Sequence, residues 1–200
     1  TYFDFNEEKL TELIGEAKDL GVDMFLLDDG WFGNKYPRKD DHAGLGDWDE
    51  TADKLPDGIP SLVKAANDRG VEFGLWIEPE MVNPKSELAE KHPEWILRLP
   101  NRETYYFRNQ LVLDLTNPSV QEYVYGVVDK LMKKNPRLKF FKWDCNSPIT
   151  NIYSYYEKQN QGNLYIDYVR GLYRVLDRIH RNYPELRMML CSGGGGRCDY

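Results

Sequence analysis

The chain has 200 residues, of which 41% are hydrophobic and 30% charged, so it is long enough to bury the core of one sizeable domain. Its formal net charge of -7 argues against nucleic acids and anionic membrane surfaces as partners. No apolar stretch approaches the roughly 20 residues that span a bilayer, and the N-terminus shows no signal peptide, so we expect no membrane partner and a cytoplasmic location.

Cysteine and histidine are too few and too scattered to indicate a disulfide framework or a metal site. The cysteines are odd in number and widely spaced, and no paired zinc spacing, HExxH motif or His cluster occurs. We therefore expect no metal. The residues concerned are Cys145, Cys191, Cys198, His42, His92 and His180.

Hydrophobic periodicity predicts strands that alternate with helices. The first helix covers 7–20, with Asn6 as its cap and Gly21 at its end. The remaining predicted elements are a strand at 24–28, a polar loop at 30–58, a helix near 60–69, a strand at 71–77, a short helix near 85–91, a strand at 111–115, a helix from Pro118 to about 134, a strand at 138–144, a loop at 146–162, a helix near 164–182 and a strand at 187–191.

This alternation is typical of βαβ units and a parallel sheet, that is, of the α/β class. Functional-looking residues lie at the C-terminal end of each predicted strand, where a TIM barrel builds its active site. A doubly wound sheet is the alternative, although it places chemistry at one or two switch-point loops. Five strands do not close an eight-stranded barrel, so we expect residues 1–200 to form an incomplete (β/α)8 domain, truncated at both ends.

The strand predicted at 138–144 is the most informative segment. Residues two apart on a strand share a face, so Lys142 and Asp144 point together. Phe141 and Trp143 point the other way, toward packing helices. A cation near a carboxylate lowers its pKa and keeps it ionised, as attack on an anomeric carbon requires. A structural ion pair at a strand end explains the pattern equally well.

Asp28, Asp29 and Gly30 close the strand at 24–28. Two adjacent carboxylates at a strand end can accept hydrogen bonds from sugar hydroxyls, and Gly30 lets the backbone turn sharply. Asp and Gly are also ordinary turn residues, so the segment taken alone favours a turn or a helix cap.

Trp76, Arg108 and Cys191 are further candidates. Trp76 shares a strand face with Gly74, which leaves room for the ring to lean into a cavity, whereas a lone Trp is usually a core aromatic. Arg108 precedes strand 111–115, where it either holds hydroxyls or a carboxylate or is a solvated loop arginine. The four glycines of the tract after Cys191 allow close backbone approach to a ligand or form a flexible loop. The phosphate-loop pattern is absent because no Lys follows.

Eight strings occur in chain order over nearly the whole sequence: LLDDGWFG (26–33), LGDW (45–48), KLPDGI (54–59), FGLWIEPEMV (73–82), HPEW (92–95), RNQLVLDLTNP (108–118), KFFKWDCN (139–146) and CSGGGGR (191–197). Together they resemble glycoside hydrolase family 36, the bacterial-type α-galactosidases. One string alone is weak, but eight in sequence are specific.

The resemblance implies a (β/α)8 barrel that hydrolyses terminal α-linked galactose, as in melibiose and raffinose. It also implies retention of configuration by double displacement, with no metal or organic cofactor. Carried over by position, Asp144 is the nucleophile and Lys142 its charged neighbour.

The resemblance also implies a set of substrate-binding residues around the nucleophile. Asp28 and Asp29 meet hydroxyls on the far side of the galactose ring, and Cys191 with its glycines lies near the 2-hydroxyl. The full implied set is Asp28, Asp29, Trp76, Arg108, Lys142, Asn146 and Cys191.

One part of the family pattern is missing from these 200 residues. The family's acid/base Asp lies in a later strand-end motif, after the glycine-rich segment, and this chain stops at Tyr200. Asp199 belongs to the continuation of the glycine loop rather than to that motif. We therefore expect the isolated chain to be inactive.

Other functions stay open at this point. They are an α-N-acetylgalactosaminidase, a raffinose-type galactosyltransferase, and a non-catalytic galactose-binding or structural fragment. The loop at 191–196 favours plain galactose, because an acetamido group needs more room. We expect a small oligosaccharide as partner and leave a homo-oligomeric parent protein as an option.

Overall fold

The computed structural model describes residues 2–193. The helices in that range are α1 (Glu7–Asp19), α2 (Gly58–Asp68), α3 (Glu87–Lys91), α4 (Pro118–Lys134) and α5 (Leu164–Asn182). The strands are β1 (Met24–Leu27), β2 (Glu72–Ile77), β3 (Met81–Val82), β4 (Leu111–Val112), β5 (Leu138–Trp143) and β6 (Arg187–Leu190). Over this stretch of chain, none of the helices is both long and apolar enough to cross a membrane.

Four strands form one parallel sheet in the order β1, β2, β5, β6. A helix lies in each connection: α2 between β1 and β2, α4 between β2 and β5, and α5 between β5 and β6. The predicted α/β class with a parallel sheet is confirmed. Within residues 2–193 the strands of this sheet follow chain order, without the reversal that marks the switch point of a doubly wound sheet.

The strand predicted at 111–115 is wrong in its extent and its partner. Only Leu111–Val112 is a strand, and it pairs antiparallel with β3 in a separate two-stranded sheet. β2 pairs directly with β5, so the parallel sheet has four strands here rather than five. Beyond Val112, Leu113 N–H donates to Glu80 O at 2.8 Å, which extends the contact with the β3 segment and not with the parallel sheet. A short buried apolar run does not by itself distinguish a sheet strand from a buried connection.

The helix boundaries follow from capping residues in the sequence. The Asn6 side chain accepts a hydrogen bond from Lys9 N–H at 2.9 Å and so satisfies a free donor at the start of α1. Pro118 occupies the first turn of α4, where its missing N–H has no consequence. The helix predicted near 164–182 matches α5.

The two faces of β5 lie in different environments, as the alternation predicts. Phe141 and Trp143 are fully buried in the core. Lys142 lies on the other face, paired in register with Trp76 of β2. Because the strands are parallel, their carboxyl ends meet at one edge of the sheet, and this edge carries the polar residues.

α5 packs so closely on the chain after β4 that Gly171 has no room for a side chain. A Cβ at Gly171 would lie 2.0 Å from Leu115 O and 2.9 Å from its carbonyl carbon. These are backbone atoms and cannot rotate away. Gly126 in α4 is the opposite case, since a Cβ there would meet no described atom within 4 Å.

We expect Gly171→Ala to destabilise the protein by about 1–3 kcal/mol, because the added methyl group must displace α5 or the Leu115 backbone. Gly126→Ala is the matched control and should stabilise the protein by about 0.5–1 kcal/mol, since alanine loses less backbone entropy in a helix. Urea unfolding of both variants and the parent protein gives the difference. Equal stability of the two variants would contradict this packing.

Candidate active site

A cavity of about 660 Å³ lies at the carboxyl ends of β1, β2 and β5. Cys191, the predicted site residue that does not line this cavity, reaches Asp144 with its side chain. The structure thus brings the predicted residues into one neighbourhood, while their individual roles stay predictions. The predicted residues that line the cavity are Asp28, Asp29, Trp76, Arg108, Lys142, Asp144 and Asn146.

Asp144 is a buried carboxylate that is held by the end of β2 and by the loop after β5. Its backbone N–H donates to Ile77 O at 2.8 Å, which continues the β2–β5 pairing past the strand. Trp76 Nε1 donates to Oδ2 at 3.2 Å, and the Cys145 N–H donates to Oδ1 at 2.9 Å. Burial alone would raise the pKa of Asp144, but hydrogen bonds from Asn146, Trp76 and Cys145 outweigh burial and lower this pKa below its ordinary value.

Lys142 forms its ion pair with Asp28 rather than with Asp144. Its Nζ lies 2.8 Å from Asp28 Oδ2, so the side chain reaches past β2 to the end of β1. The low pKa of Asp144 rests mainly on hydrogen bonds, although Lys142 lies near enough for its charge and that of Asp144 to act on each other. Burial alone would lower the pKa of Lys142, but the hydrogen bond and charge of Asp28, with the charge of Asp144, raise it.

Asp29 is held by a buried arginine that the sequence analysis missed. Arg38 is only 1% exposed, and its Nε and Nη2 donate to the two Asp29 oxygens at 2.9 and 2.7 Å. Arg38 Nη1 also donates to Asn83 Oδ1 at 3.0 Å. Arg38 lies in the polar loop at 30–58, where no periodicity marks one basic residue as buried. This paired geometry fixes the Asp29 carboxylate in place.

Trp76 combines the two roles that the sequence left open. The ring is only 2% exposed, so it belongs to the core. It stacks on Phe32 with ring centroids 6.1 Å apart and packs against Trp48. Its indole N–H points at Asp144, so the packed ring positions the carboxylate.

Arg108 sits in a tight turn rather than at the end of a sheet strand. Arg108 and Asn109 have φ values of 50° and 59°, and Gln110 N–H donates to Phe107 O at 3.0 Å to close the turn. The turn leads into β4, and the exposed Arg108 lines the cavity. The structure thus places this guanidinium group at the rim of the cavity.

Glu78 is a second site residue for which the sequence predicted no role. It follows β2, is fully buried, and accepts hydrogen bonds from the Asn146 backbone N–H and, at 3.1 Å, from Gln110 Nε2. Burial raises the pKa of Glu78 to about 8, and the charges of Asp144 and Asp29 act in the same direction. Two glutamates occur in the WIEPE segment, and only tertiary contacts show which one lies beside the nucleophile candidate.

Ser192 and Gly193, the two residues after Cys191, bind the loop that follows β5. Ser192 Oγ donates to Cys145 O at 2.8 Å, and Gly193 N–H donates to Asn146 Oδ1 at 3.1 Å. Gly194, Gly195 and Gly196 lie outside the described residues, as do Cys198 and Asp199, so the expected approach of the glycine tract to a ligand is untested.

This fold, with ionisable side chains clustered at one edge, defines the class of α/β proteins whose site lies at the carboxyl ends of parallel strands. Within that class the chain belongs to the Melibiase family, whose family model matches residues 1–200. The family resemblance seen in the sequence is confirmed.

Individual relatives of this chain are α-galactosidases, in agreement with the family model. The chain is 45% identical over 200 residues to α-galactosidase AgaA of Geobacillus stearothermophilus and 42% identical over 200 residues to α-galactosidase 1 of Pediococcus pentosaceus. All of this chain is covered in both alignments, but it spans only 27% of the length of each relative.

Solved structures show the same fold. The crystal structure of GH36 α-galactosidase AgaA matches with a TM-score of 0.93 at 44% identity, covering 98% of this chain and 27% of that one. The α-galactosidase from Lactobacillus brevis matches with a TM-score of 0.94 at 40% identity, covering 98% of this chain and 26% of that one. Variants of AgaA have been crystallised in complex with stachyose and with raffinose.

The raised pKa of Glu78 makes stability fall as pH rises. Below about pH 4.5 its carboxyl group is protonated in both folded and unfolded chains, so it causes no pH dependence. Between that pH and about 8 the unfolded chain releases a proton that the folded protein retains, which favours unfolding. Above about 8 both states are ionised and the loss is complete.

We expect the Tm of Glu78→Gln, relative to that of the unmodified protein, to rise steadily from pH 4.5 to pH 8. Glutamine has nearly the same shape but does not titrate, so it avoids the loss. Thermal unfolding of both proteins at several pH values measures this difference. A difference that does not change with pH would mean that the pKa of Glu78 is close to its ordinary value.

Proposed function

We propose that the complete protein is a retaining α-galactosidase, which removes terminal α-linked galactose from oligosaccharides such as melibiose and raffinose, with Asp144 as its nucleophile. The observation that carries this proposal is the Asp144 carboxylate, which is buried beside a sugar-sized cavity and kept ionised by hydrogen bonds. Family membership and the oligosaccharide complexes of AgaA support the substrate class.

The proposed reaction is a double displacement. An Asp144 oxygen attacks the anomeric carbon while the glycosidic bond breaks, and a second carboxyl group protonates the leaving oxygen. The product is a galactosyl ester of Asp144. The second carboxylate then takes a proton from water, which attacks the same carbon and restores the free Asp144 carboxylate. Two inversions give retention of configuration.

The cavity residues supply complementary polar groups for the galactose hydroxyls. Asp28 is exposed to the cavity and paired with Lys142, so the two present an acceptor and a donor together. Arg108 adds a donor at the rim, and Cys191 borders the Asp144 side chain. We assign these groups to substrate binding.

The second carboxyl group is proposed to come from outside these 200 residues. The other acidic residues lining the cavity in the described part of the chain are Asp28, Asp29, Asp41 and Glu78. Asp28 and Asp29 bind Lys142 and Arg38, and Glu78 is fully buried. Asp41 lies 3.2 Å from His42 at the surface. Burial raises the pKa of Glu78, but this fully buried group lacks the open approach to the leaving oxygen that a general acid requires.

The parallel sheet is proposed to be one arc of a (β/α)8 barrel. Successive strands lie side by side in chain order with a helix in each connection, which is how a barrel wall is built. The site then lies at the carboxyl ends of the strands, where barrels place their chemistry.

We expect Asp144→Ala in the complete protein to abolish hydrolysis of an activated aryl α-galactoside, with loss of at least about 10⁴-fold, because no ester can form. Added azide should restore turnover by attacking the sugar in place of the carboxylate and should give a galactosyl azide of inverted configuration. Product analysis by NMR measures both outcomes. An Asp144→Asn variant with near-normal activity would refute the assignment.

Asp28 and Asp29 should respond differently to replacement by Asn. Asp28→Asn should weaken galactoside binding, since a charge-assisted hydrogen bond is worth roughly 1.5–3 kcal/mol, and leave stability little changed. Asp29→Asn leaves the buried Arg38 without its counter-ion and should destabilise the fold by about 3–5 kcal/mol. Galactose titration and urea unfolding of both variants separate the two effects. If both variants lost only stability, the hydroxyl-binding role would be wrong.

A further inference from the structure

Glu78 lies at the junction of two segments that carry site residues. Its Oε1 accepts the Asn146 backbone N–H, and its Oε2 accepts the Gln110 side-chain amide at 3.1 Å. Asn146 belongs to the loop after β5, and Gln110 closes the turn that presents Arg108. One buried carboxyl group therefore joins the end of β2 to both segments.

The bond to Asn146 acts on the nucleophile through a short path. The Asn146 side chain lies beside Asp144 and is one of the groups that lower its pKa. The same side chain accepts the Gly193 N–H at 3.1 Å. The direction of the Asn146 side chain depends on where its backbone is held, and Glu78 holds that backbone.

Glu78 borders the cavity but exposes no surface there. It is fully buried, and each carboxyl oxygen is engaged by a protein donor. It therefore does not have the open approach that proton transfer to a glycosidic oxygen needs. Neighbouring acidic groups are Asp144 after β5 and Asp29 after β1, and the buried cation near them is Arg38.

We propose that Glu78 is a positioning residue that holds the Asn146 backbone and thereby aligns the Asn146 amide and the Asp144 carboxylate for attack. This inference rests on the proposed function of Asp144. The part of Glu78 that matters is its acceptor oxygen, not its charge or its proton. Burial keeps the group neutral over most of the physiological range, so it adds little negative charge beside the nucleophile.

The test uses two substitutions in the complete protein, Glu78→Gln and Glu78→Met. Glutamine keeps an acceptor for the Asn146 N–H, whereas methionine has a similar length and no such acceptor. We expect Glu78→Gln to keep kcat within about threefold of the parent protein on both melibiose and an activated aryl galactoside. Glu78→Met should lose about tenfold to a hundredfold in kcat on both substrates, the scale of one lost buried hydrogen bond to an important group, with a smaller change in KM.

The second measurement is the rate at which a fluorinated galactosyl fluoride labels Asp144, followed by peptide mass spectrometry. Labelling reports attack by the nucleophile and needs little protonation of the leaving group. We expect Glu78→Met to slow labelling by the same factor as kcat and Glu78→Gln to leave it nearly unchanged. A residue needed only for stability would lower the Tm without changing the labelling rate of the folded protein.

Glu80→Met is the matched control. Glu80 is also fully buried and lies two residues further on, but it accepts from Trp143 Nε1 and Tyr168 OH instead of Asn146. Its replacement should lower the Tm while the labelling rate stays within about threefold, since no bond to Asn146 is lost.

The outcomes separate this inference from the proposed function. A parent protein that neither hydrolyses α-galactosides nor is labelled would overturn both. An active parent with an equally active Glu78→Met variant would overturn the positioning role alone. Loss of melibiose hydrolysis but not of aryl galactoside hydrolysis in Glu78→Gln would identify Glu78 as a proton donor and also overturn it.

Discussion

The carboxylate of Asp144 is withdrawn from bulk water, and yet hydrogen bonds from the surrounding structure keep its pKa low. Burial of a carboxylate disfavours its ionised form, so each donor that points at it offsets part of this cost. Trp76 and the Cys145 backbone supply two such donors, and the Asn146 side chain supplies another. The aromatic packing of Trp76, the pairing of β2 with β5 and the loop after β5 all serve this arrangement.

The same neighbourhood contains further acidic groups, and each is accommodated by different physical means. Asp29 is paired through both of its oxygens with the buried Arg38. Glu78 stays protonated to about pH 8 because its complete burial outweighs the charge of the nearby Arg38. If Glu78 were ionised, its charge would raise the pKa of Asp144 and work against the hydrogen bonds. Protonation of one group thus helps another to remain charged.

Much of the fold could be predicted from local patterns, because capping residues and strand alternation act over a few neighbours. Asn6, Pro118 and the alternation of Phe141 and Lys142 gave elements and faces that the structure contains. The prediction of a parallel-sheet strand at 111–115 was wrong because a buried apolar run has the same sequence pattern in a sheet strand and in a buried connection.

Only the part of the candidate site that lies at the ends of the parallel strands could be predicted from the sequence. Parallel strands place their carboxyl ends together, so residues 28, 76, 142 and 144 could be grouped from sequence. Pairings that depend on side-chain reach could not. Lys142 extends to Asp28 instead of Asp144, and Arg38 is buried from within a long polar loop. The groups that set the pKa of Glu78 lie as far apart in the chain as Asp29 and Asn146, so no local sequence pattern contains them.

Asn146 is the point at which the ends of β2, β5 and β6 act together on the Asp144 carboxylate. Its backbone N–H is held from the β2 side by Glu78, and its Oδ1 is held from the β6 side by the Gly193 N–H at 3.1 Å. Its side chain also lowers the pKa of Asp144 and lines the cavity. A residue with this many fixed contacts cannot turn without disturbing Asp144. The position of Asn146 and the alignment of Asp144 are therefore set by one geometry, which the strands on both sides of β5 impose.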